Sequence, residues 1–183
     1  PMPSPGVGGA CLEKDPFILL HSTKSKRPSL VRHARTVSDA MVDFVADQTI
    51  SFLKEKNPEL KNPKVLILGF AFKGHPVTSD IRGSTTIPLV QKLLKVTKNI
   101  HGHDPAVKRA EITALKVRHV SDLRKGFEGA DAVVVMNNNP AFEELPIRSL
   151  LALTNKPSLF FDTWGLHSKA DVEKVKYIHY KRL

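Results

Sequence analysis

Cysteine is almost missing: Cys11 is the one thiol in a chain of 183 residues. That excludes an intrachain disulfide framework and any cysteine-rich zinc or iron–sulfur site. A lone free thiol fits a reducing compartment, and a cytoplasmic location is expected. Aromatic residues make up 7%. None is interleaved in the basic stretch Lys24, Lys26, Arg27, Arg32 and Arg35, which therefore reads as a solvated or interface face rather than a nucleic-acid surface. No apolar run approaches the ~18 residues that span a bilayer, so no membrane partner is expected. The eight histidines form no ligand pattern. His101 and His103 alternate on one strand face without nearby carboxylates or cysteines, and no metal is expected. The dinucleotide fingerprint G-x-G-x-x-G is missing too. Pro1-Met2-Pro3-Ser4-Pro5 carries neither a charged n-region nor an apolar h-region, so no signal peptide is expected. A start at Pro1 suggests a piece of a longer chain.

What is present is the composition of a globular protein, with 41% hydrophobic and 25% charged residues. The net charge of +10 favours anionic ligands. The chain reads as three parts. Residues 1–27 open on Pro- and Gly-rich sequence and are expected to form a loop segment carrying the cysteine. Residues 28–60 centre on one long helix. Pro28 suits its first turn, Val31, Ala34, Val37, Met41, Val45 and Phe52 form its stripe, Gln48 interrupts that stripe, and Asn57-Pro58 ends it. Such a helix exceeds the width of a small domain, so a subunit interface is expected. Residues 61–183 alternate strands (64–69, 99–103, 116–120, 131–136, 158–162, 177–180) with helical segments. The class is α/β, with a long central helix followed by a Rossmann-like parallel sheet covered on both faces.

Three segments could carry chemistry. In Gly6-Val7-Gly8-Gly9-Ala10-Cys11-Leu12-Glu13-Lys14-Asp15-Pro16 the cysteine follows a glycine turn. Lys14 would favour the thiolate, and Asp15 could deprotonate water. The alternative is an inert thiol near a chain end. Gly69-Phe-Ala-Phe-Lys-Gly74 follows the first buried strand. It is no P-loop, because His75-Pro76 stands where Lys and Ser/Thr are required. Yet it lies at the carboxyl end of a strand, where open α/β sheets bind ligands, and Lys73 there would meet a phosphate. The alternative is a surface lysine. Arg82, at a helix start, could bind phosphate, while Asp80 or Ser84 could simply cap the helix.

Together these segments resemble, in order and spacing, the UDP-glucose/GDP-mannose dehydrogenase family of nucleotide-sugar 6-dehydrogenases. Pro5 to Pro16 looks like the family's catalytic-cysteine segment, and Arg35-Thr-Val-Ser-Asp-Ala-Met41 like its central-helix signature. Gly69 to Lys73 with Asp80-Ile81-Arg82 looks like the opening of its nucleotide-binding C-terminal domain. His103-Asp104-Pro105 and Ala130 to Val133 fit the later strands. Ala10, Ser38 and Gly83 depart from the pattern, in which histidine, asparagine and glutamate are usual. The Gly-Val-Gly-Gly form looks more like the branch oxidising UDP-N-acetylhexosamines such as UDP-N-acetylmannosamine or UDP-N-acetylglucosamine.

The resemblance implies an NAD-dependent oxidation of a C6 alcohol to a carboxylate through a cysteine thioester, for polysaccharide precursors. It implies Cys11 as nucleophile, Asp15 acting on water, and Lys14 near cofactor phosphates or an oxyanion. Gly8 and Gly9 would let backbone amides approach the sugar. Leu12, Phe72 and Lys73 would meet UDP, and Arg82 would meet cofactor phosphate. It also implies a homodimer through the central helix, and an N-terminal NAD-binding domain that is absent from this chain, leaving the fragment inactive alone. The alternative is a non-catalytic nucleotide-sugar-binding or dimerisation module.

Overall fold

The computed structural model describes residues 4–23, 29–56, 58–59 and 61–183. Helix α1 (Ala10–Ser22) leads to the long α2 (Leu30–Lys56). The alternating region follows as β1 (Val65–Leu68), α3 (Thr86–Leu93), β2 (Ile100–His103), α4 (Arg109–Ala114), β3 (Arg118–His119), α5 (Leu123–Phe127) and β4 (Ala132–Val135). It closes with α6 (Pro140–Glu143), α7 (Ile147–Leu151), β5 (Ser158–Asp162), α8 (Lys169–Val172) and β6 (Ile178–Arg182). The strands form one sheet of order β3-β2-β1-β4-β5-β6, and every pairing is parallel. The strand order reverses between β1 and β4, and in such sheets the crevice at the carboxyl ends of those strands is the ligand site.

Strand periodicity builds the two layers. Val65, Ile67, Val134 and Phe161 face one side, where Val45, Phe52 and Leu53 of α2, Leu89 and Leu93 of α3 and Ile112 of α4 cover them. Leu66, Leu68, Val133 and Phe160 face the other, beneath Phe127 of α5, Phe142 of α6 and Leu150 of α7. Two buried carboxylates tie the strand ends. Asp131 accepts from the Lys64 N–H (2.8 Å) and Asn155 Nδ2 (2.8 Å) at the amino ends of β1 and β4. At the carboxyl end of β5, Asp162 accepts from the His167 N–H at 2.8 Å. The Tyr180 hydroxyl donates to the His167 carbonyl at 2.9 Å. Burial, then the Asp162 charge, push Tyr180 up to about 12.

Two expectations need correcting. The cysteine segment is a loop only as far as Gly9. From there Ala, Leu, Glu and Lys, all good helix formers, carry the chain into α1, so Cys11 lies on a helix. The long helix is bounded by Leu30 and Lys56 among the described residues; Pro28 and Asn57, the expected start and stop, lie outside them. Its apolar stripe also divides. Val42, Val45, Ala46, Phe52 and Leu53 are buried against the sheet domain, whereas Leu30, Val37 and Phe44 are 85%, 64% and 47% exposed. Gln48, the expected interruption, accepts a hydrogen bond from Lys181 of β6. No helix among the described residues is long and apolar enough to cross a membrane.

His101 is nine-tenths buried on β2, with Nε2 2.9 Å from Asn99 Oδ1. Burial, reinforced by Lys64 and Arg118, pushes it down to about 4. Between pH 4 and the ordinary histidine value near 6.5 the unfolded chain therefore binds the extra proton, so stability falls as pH drops through that window. Urea titrations at pH 7, 5.5 and 4.5 should show this loss, and His101→Gln should flatten it. Separately, Phe160→Ala empties a fully buried site stacked on Tyr180 at 5.7 Å; it should cost about 3–5 kcal/mol in the same assay.

Candidate active site at the carboxyl edge of the sheet

The loop after β1 is shaped by groups distant in sequence. Asp104, buried just after β2, accepts from the N–H groups of Phe70 (2.7 Å), Ala71 (3.0 Å), Ala106 (2.8 Å) and Val107 (3.1 Å). Asn137 Nδ2, just after β4, reaches the Ala71 carbonyl and Asp104 Oδ2, each at 3.3 Å. Asn138 Oδ1 accepts from the Gly74 N–H (3.0 Å) and the His75 N–H (3.2 Å). The crevice at the sheet's reversal point is thus walled by the 69–75 loop and the 137–139 run. The Phe72 N–H donates to the Asp80 carbonyl at 3.0 Å, which draws in the 78–84 loop. Lys73 Nζ lies 5.4 Å from the centre of the Phe72 ring, and Lys73 joins none of the ion pairs among the described residues.

The cysteine segment seats on these loops. The Gly9 N–H donates to the Gly83 carbonyl at 3.0 Å. A β-carbon on Gly8 would lie 2.3 Å from that carbonyl oxygen. Gly83 has φ +65° and faces Gly9 N and the Glu13 carboxyl at 2.9 and 2.8 Å from its own missing β-carbon. The carboxylate of Glu13 therefore fills the space beside position 83. The Phe72 ring packs beside Gly9. The Gly9 amide is spent on Gly83, which corrects the expectation that it stays open to a sugar.

Helix α2 clamps the other side. Ser38 Oγ accepts from the Val7 N–H at 2.9 Å. Arg35 donates to the Val7 carbonyl (2.9 Å) and the Leu12 carbonyl (3.4 Å), and pairs with Asp39. Pro16 explains the second contact. It has no N–H to return to the carbonyl four residues back, which is that of Leu12, and the guanidinium takes it. Glu13, Arg35, Ser38, Asp39, Ser84 and Thr85 line a cavity of about 520 Å³. Leu12 lines a second one, of about 300 Å³, with Val31 and Ala34 of α2.

Cys11 is exposed. Lys14 pairs with the neighbouring Asp15 at 2.6 Å, with both side chains more than half exposed; such surface pairs are weak. Asp15, and in smaller part Cys11, raise the pKa of Lys14. Arg82 grips Asp80 through Nε–Oδ1 (3.0 Å) and Nη2–Oδ2 (2.7 Å). That grip brings Asp80 down to about 2. Asp80 in turn raises Arg82. Asp80 binds Arg82 instead of capping α3, while Ser84 Oγ accepts from the Thr86 N–H at 3.3 Å. No cluster of metal-ligating side chains occurs among the described residues.

The structure therefore gathers Gly8, Gly9, Cys11, Phe72, Lys73 and Arg82 on one edge. The sequence reading did not assign Arg35, Ser38, Asp104 and Asn137 to Asn139 to the site. The asparagine run directly after a buried strand was the available signal, because it falls at the carboxyl end where the strand order reverses.

Residues 66–169 match the model of the UDP-glucose/GDP-mannose dehydrogenase family, UDP binding domain. The UDP-N-acetyl-D-mannosamine dehydrogenase of Pyrococcus horikoshii is 32% identical over 148 residues, covering 81% of this chain and 32% of that protein. A structure of the UDP-D-ManNAc dehydrogenase of Pyrococcus horikoshii aligns over 98% of this chain and 39% of that one, at TM-score 0.79 and 26% identity. An NDP-N-acetyl-D-galactosaminuronic acid dehydrogenase from Methanosarcina mazei Go1 aligns at TM-score 0.84 and 25% identity, over 98% and 38%. The chain spans about a third of the length of the curated relatives it matches.

Replacing Gly8 with alanine should unseat the cysteine segment without unfolding the sheet. The Gly9 amide should lose at least tenfold of its hydrogen-exchange protection while amides of β1 and β4 keep theirs; unchanged protection at Gly9 would contradict the contact.

Proposed function

Because the chain belongs to the UDP-glucose/GDP-mannose dehydrogenase family, we propose that it forms the cysteine-bearing, UDP-sugar-binding part of an enzyme that oxidises the C6 alcohol of a UDP-sugar to a carboxylate. The observation that carries the reading is the seating of the Cys11 segment on Gly83 and Phe72, beside Lys73, at the carboxyl edge of the sheet. The names of the relatives favour a UDP-N-acetylhexosamine, UDP-N-acetylmannosamine first. The product would supply polysaccharide assembly in the cytoplasm.

In this reading Lys73 meets the diphosphate and Phe72 packs against the nucleotide, while Leu12, which lines the cavity against α2, stands apart from them. Gly8 acts through the seating of the Cys11 segment, since the close approach it allows is to the Gly83 carbonyl. Oxidation of the alcohol by loss of a hydride and a proton gives an aldehyde. The Cys11 thiolate adds to its carbon and the new alkoxide takes a proton, making a thiohemiacetal. Loss of a hydride, and of the hydroxyl proton, leaves a thioester on Sγ. Water adds to that carbonyl, the C–S bond breaks, and a carboxylate leaves with the thiolate restored. Lys14 would stabilise the oxyanions, and Asp15 would take the proton from water.

NAD would supply the hydride acceptor, two per substrate. The described residues after β1 do not fit its pyrophosphate: the N–H groups of Phe70 and Ala71 are committed to Asp104, and that of Gly69 to the His103 carbonyl at 2.9 Å. Arg82 is the contact we propose from this chain, with NAD held mainly by a domain beyond its span.

Leu30, Val37 and Phe44 fall seven apart on the exposed side of α2, a spacing that keeps them on one seam. We propose that this seam pairs two copies. Light scattering should give twice the chain mass, and Val37→Glu with Phe44→Asp should give the single mass.

Calorimetric titration with UDP should give saturable binding, about tenfold weaker in Lys73→Ala and unchanged in Cys11→Ser. Equal affinity in Lys73→Ala would remove the lysine from the site. The chain by itself should reduce no NAD when given a UDP-sugar, and reduction by the purified chain would contradict the proposed division of labour.

A further inference from the structure

We propose that the cleft between α5 and the outer face of β2 and β3 is a second ligand site, for a small phosphate-bearing molecule, separate from the UDP-sugar site. The cleft holds about 350 Å³ and is lined by Lys64, His101, Arg118, His119, Asp122 and Lys125. That volume lies at the small end of the range for ligand pockets, about 300–1,000 Å³.

Its position follows from the sheet. Lys64 directly precedes β1, and Gly69, where the candidate active site begins, directly follows it. Five residues at ~3.3 Å each separate the two by about 16 Å. His101 and Arg118 are register partners on β2 and β3, so their side chains leave the same face of the sheet. α5 packs on that face through Phe127 and contributes Lys125 to the cleft wall.

Lys64 is held in place by neutral acceptors. Lys64 Nζ donates to the carbonyls of Lys125 (2.9 Å) and Glu128 (2.6 Å). These neutral acceptors orient the ammonium without cancelling it. Arg118, His119 and Lys125 join none of the ion pairs among the described residues. Asp122, the carboxylate on the wall, is engaged as the cap of α5, accepting from the Arg124 N–H at 2.9 Å. Lys64 is pulled below the usual lysine range, first by burial and also by repulsion from Arg118, against the pull of Glu128 and Asp131. A guanidinium and ammonium groups that line one cleft suit the oxygens of a phosphate. No Phe, Tyr or Trp lines the cleft, so it offers little on which a nucleic-acid base could stack, and a compact phosphorylated ligand is the better fit.

The test is a nitrogen-15 NMR titration of the chain with inorganic pyrophosphate at constant ionic strength, with sodium chloride as control. Inorganic phosphate, glucose 6-phosphate and a short single-stranded oligonucleotide form parallel arms. Saturable shifts are expected at Arg118 to Lys125 and at Lys64, with none of that pattern from chloride. Arg118→Ala with Lys125→Ala should weaken pyrophosphate binding at least tenfold and leave the UDP titration unchanged. The glucose 6-phosphate arm reports whether a phosphomonoester suffices, and the pyrophosphate arm whether two phosphates are needed; saturation in either supports the site. Shifts equal to those from chloride, the same affinity in the double variant, or a response only to the oligonucleotide would overturn it. Both substituted positions contribute through exposed polar ends, and the variant's β1 and β4 amide spectra verify that it folds. Because UDP is followed at Phe72 to Gly74 and pyrophosphate at the cleft, the two readings fail independently.

Discussion

Where the backbone of Gly8 and Gly9 meets the carbonyl of Gly83 there is no room for a β-carbon, and the shape of the site follows from that contact. The Gly9 N–H reaches the Gly83 oxygen at 3.0 Å, and this single hydrogen bond joins two segments more than seventy residues apart. Its neighbours are arranged to protect it. Phe72 covers Gly9 on one side, and Arg35 and Ser38 hold the carbonyl and amide of Val7 on the other. A hydrogen bond of this kind contributes only about 1 kcal/mol by itself. Its value is positional, since it places the first turn of α1, and Cys11 with it, over the edge of the sheet.

The loops under that contact are held by groups with no direct part in the proposed chemistry. Asp104 collects four backbone N–H groups from two loops, which leaves the 69–75 loop rigid enough to present Phe72 and Lys73. Using those amides internally also distinguishes this sheet from a dinucleotide site of the same strand order, whose amides are left free for pyrophosphate. In this chain a carboxylate, Asp104, takes up two of the amides that such a site would offer to an anion.

Much of the fold was legible because periodicity reports burial directly. Within the runs at 64–69, 131–136 and 158–162 the stretches 65–68, 132–136 and 159–161 are apolar throughout, as strands covered on both faces must be, and they form the centres of β1, β4 and β5. Helix α1 was less legible, since the glycines and prolines around it signal turns while its own residues are ordinary helix formers. The stripe on α2 showed which face is apolar, but not that Val45 and Phe52 pack on the chain's own sheet while Val37 stays exposed. The cysteine turn, Phe72, Lys73 and Arg82 stood out as motifs. Asp104 and Asn137 did not, because their partners at Ala71 lie 33 and 66 positions away and no local pattern encodes such a bond. Nor did the spacing show that Asp15 would take Lys14, or Asp80 take Arg82, as an ion-pair partner.

The electrostatics now divide between two edges of one sheet. At the carboxyl edge Lys14, Arg35 and Arg82 are each paired with a carboxylate, while Lys73 joins none of the ion pairs among the described residues. At the amino edge Lys64, Arg118 and Lys125 line one cleft, with Arg118 and Lys125 outside the ion pairs among the described residues, which accounts locally for part of the chain's net charge of +10. The central claim remains the docking of the cysteine segment, and the lone cysteine makes it directly measurable. A nitroxide attached to Cys11 in the otherwise unmodified chain should broaden the amide signals of Phe72 to Gly74 and Arg82 to Ser84 strongly, and leave those of Arg118 to Lys125 sharp. Sharp signals at Phe72 and Gly83 in the labelled protein, with the sheet intact, would contradict the account.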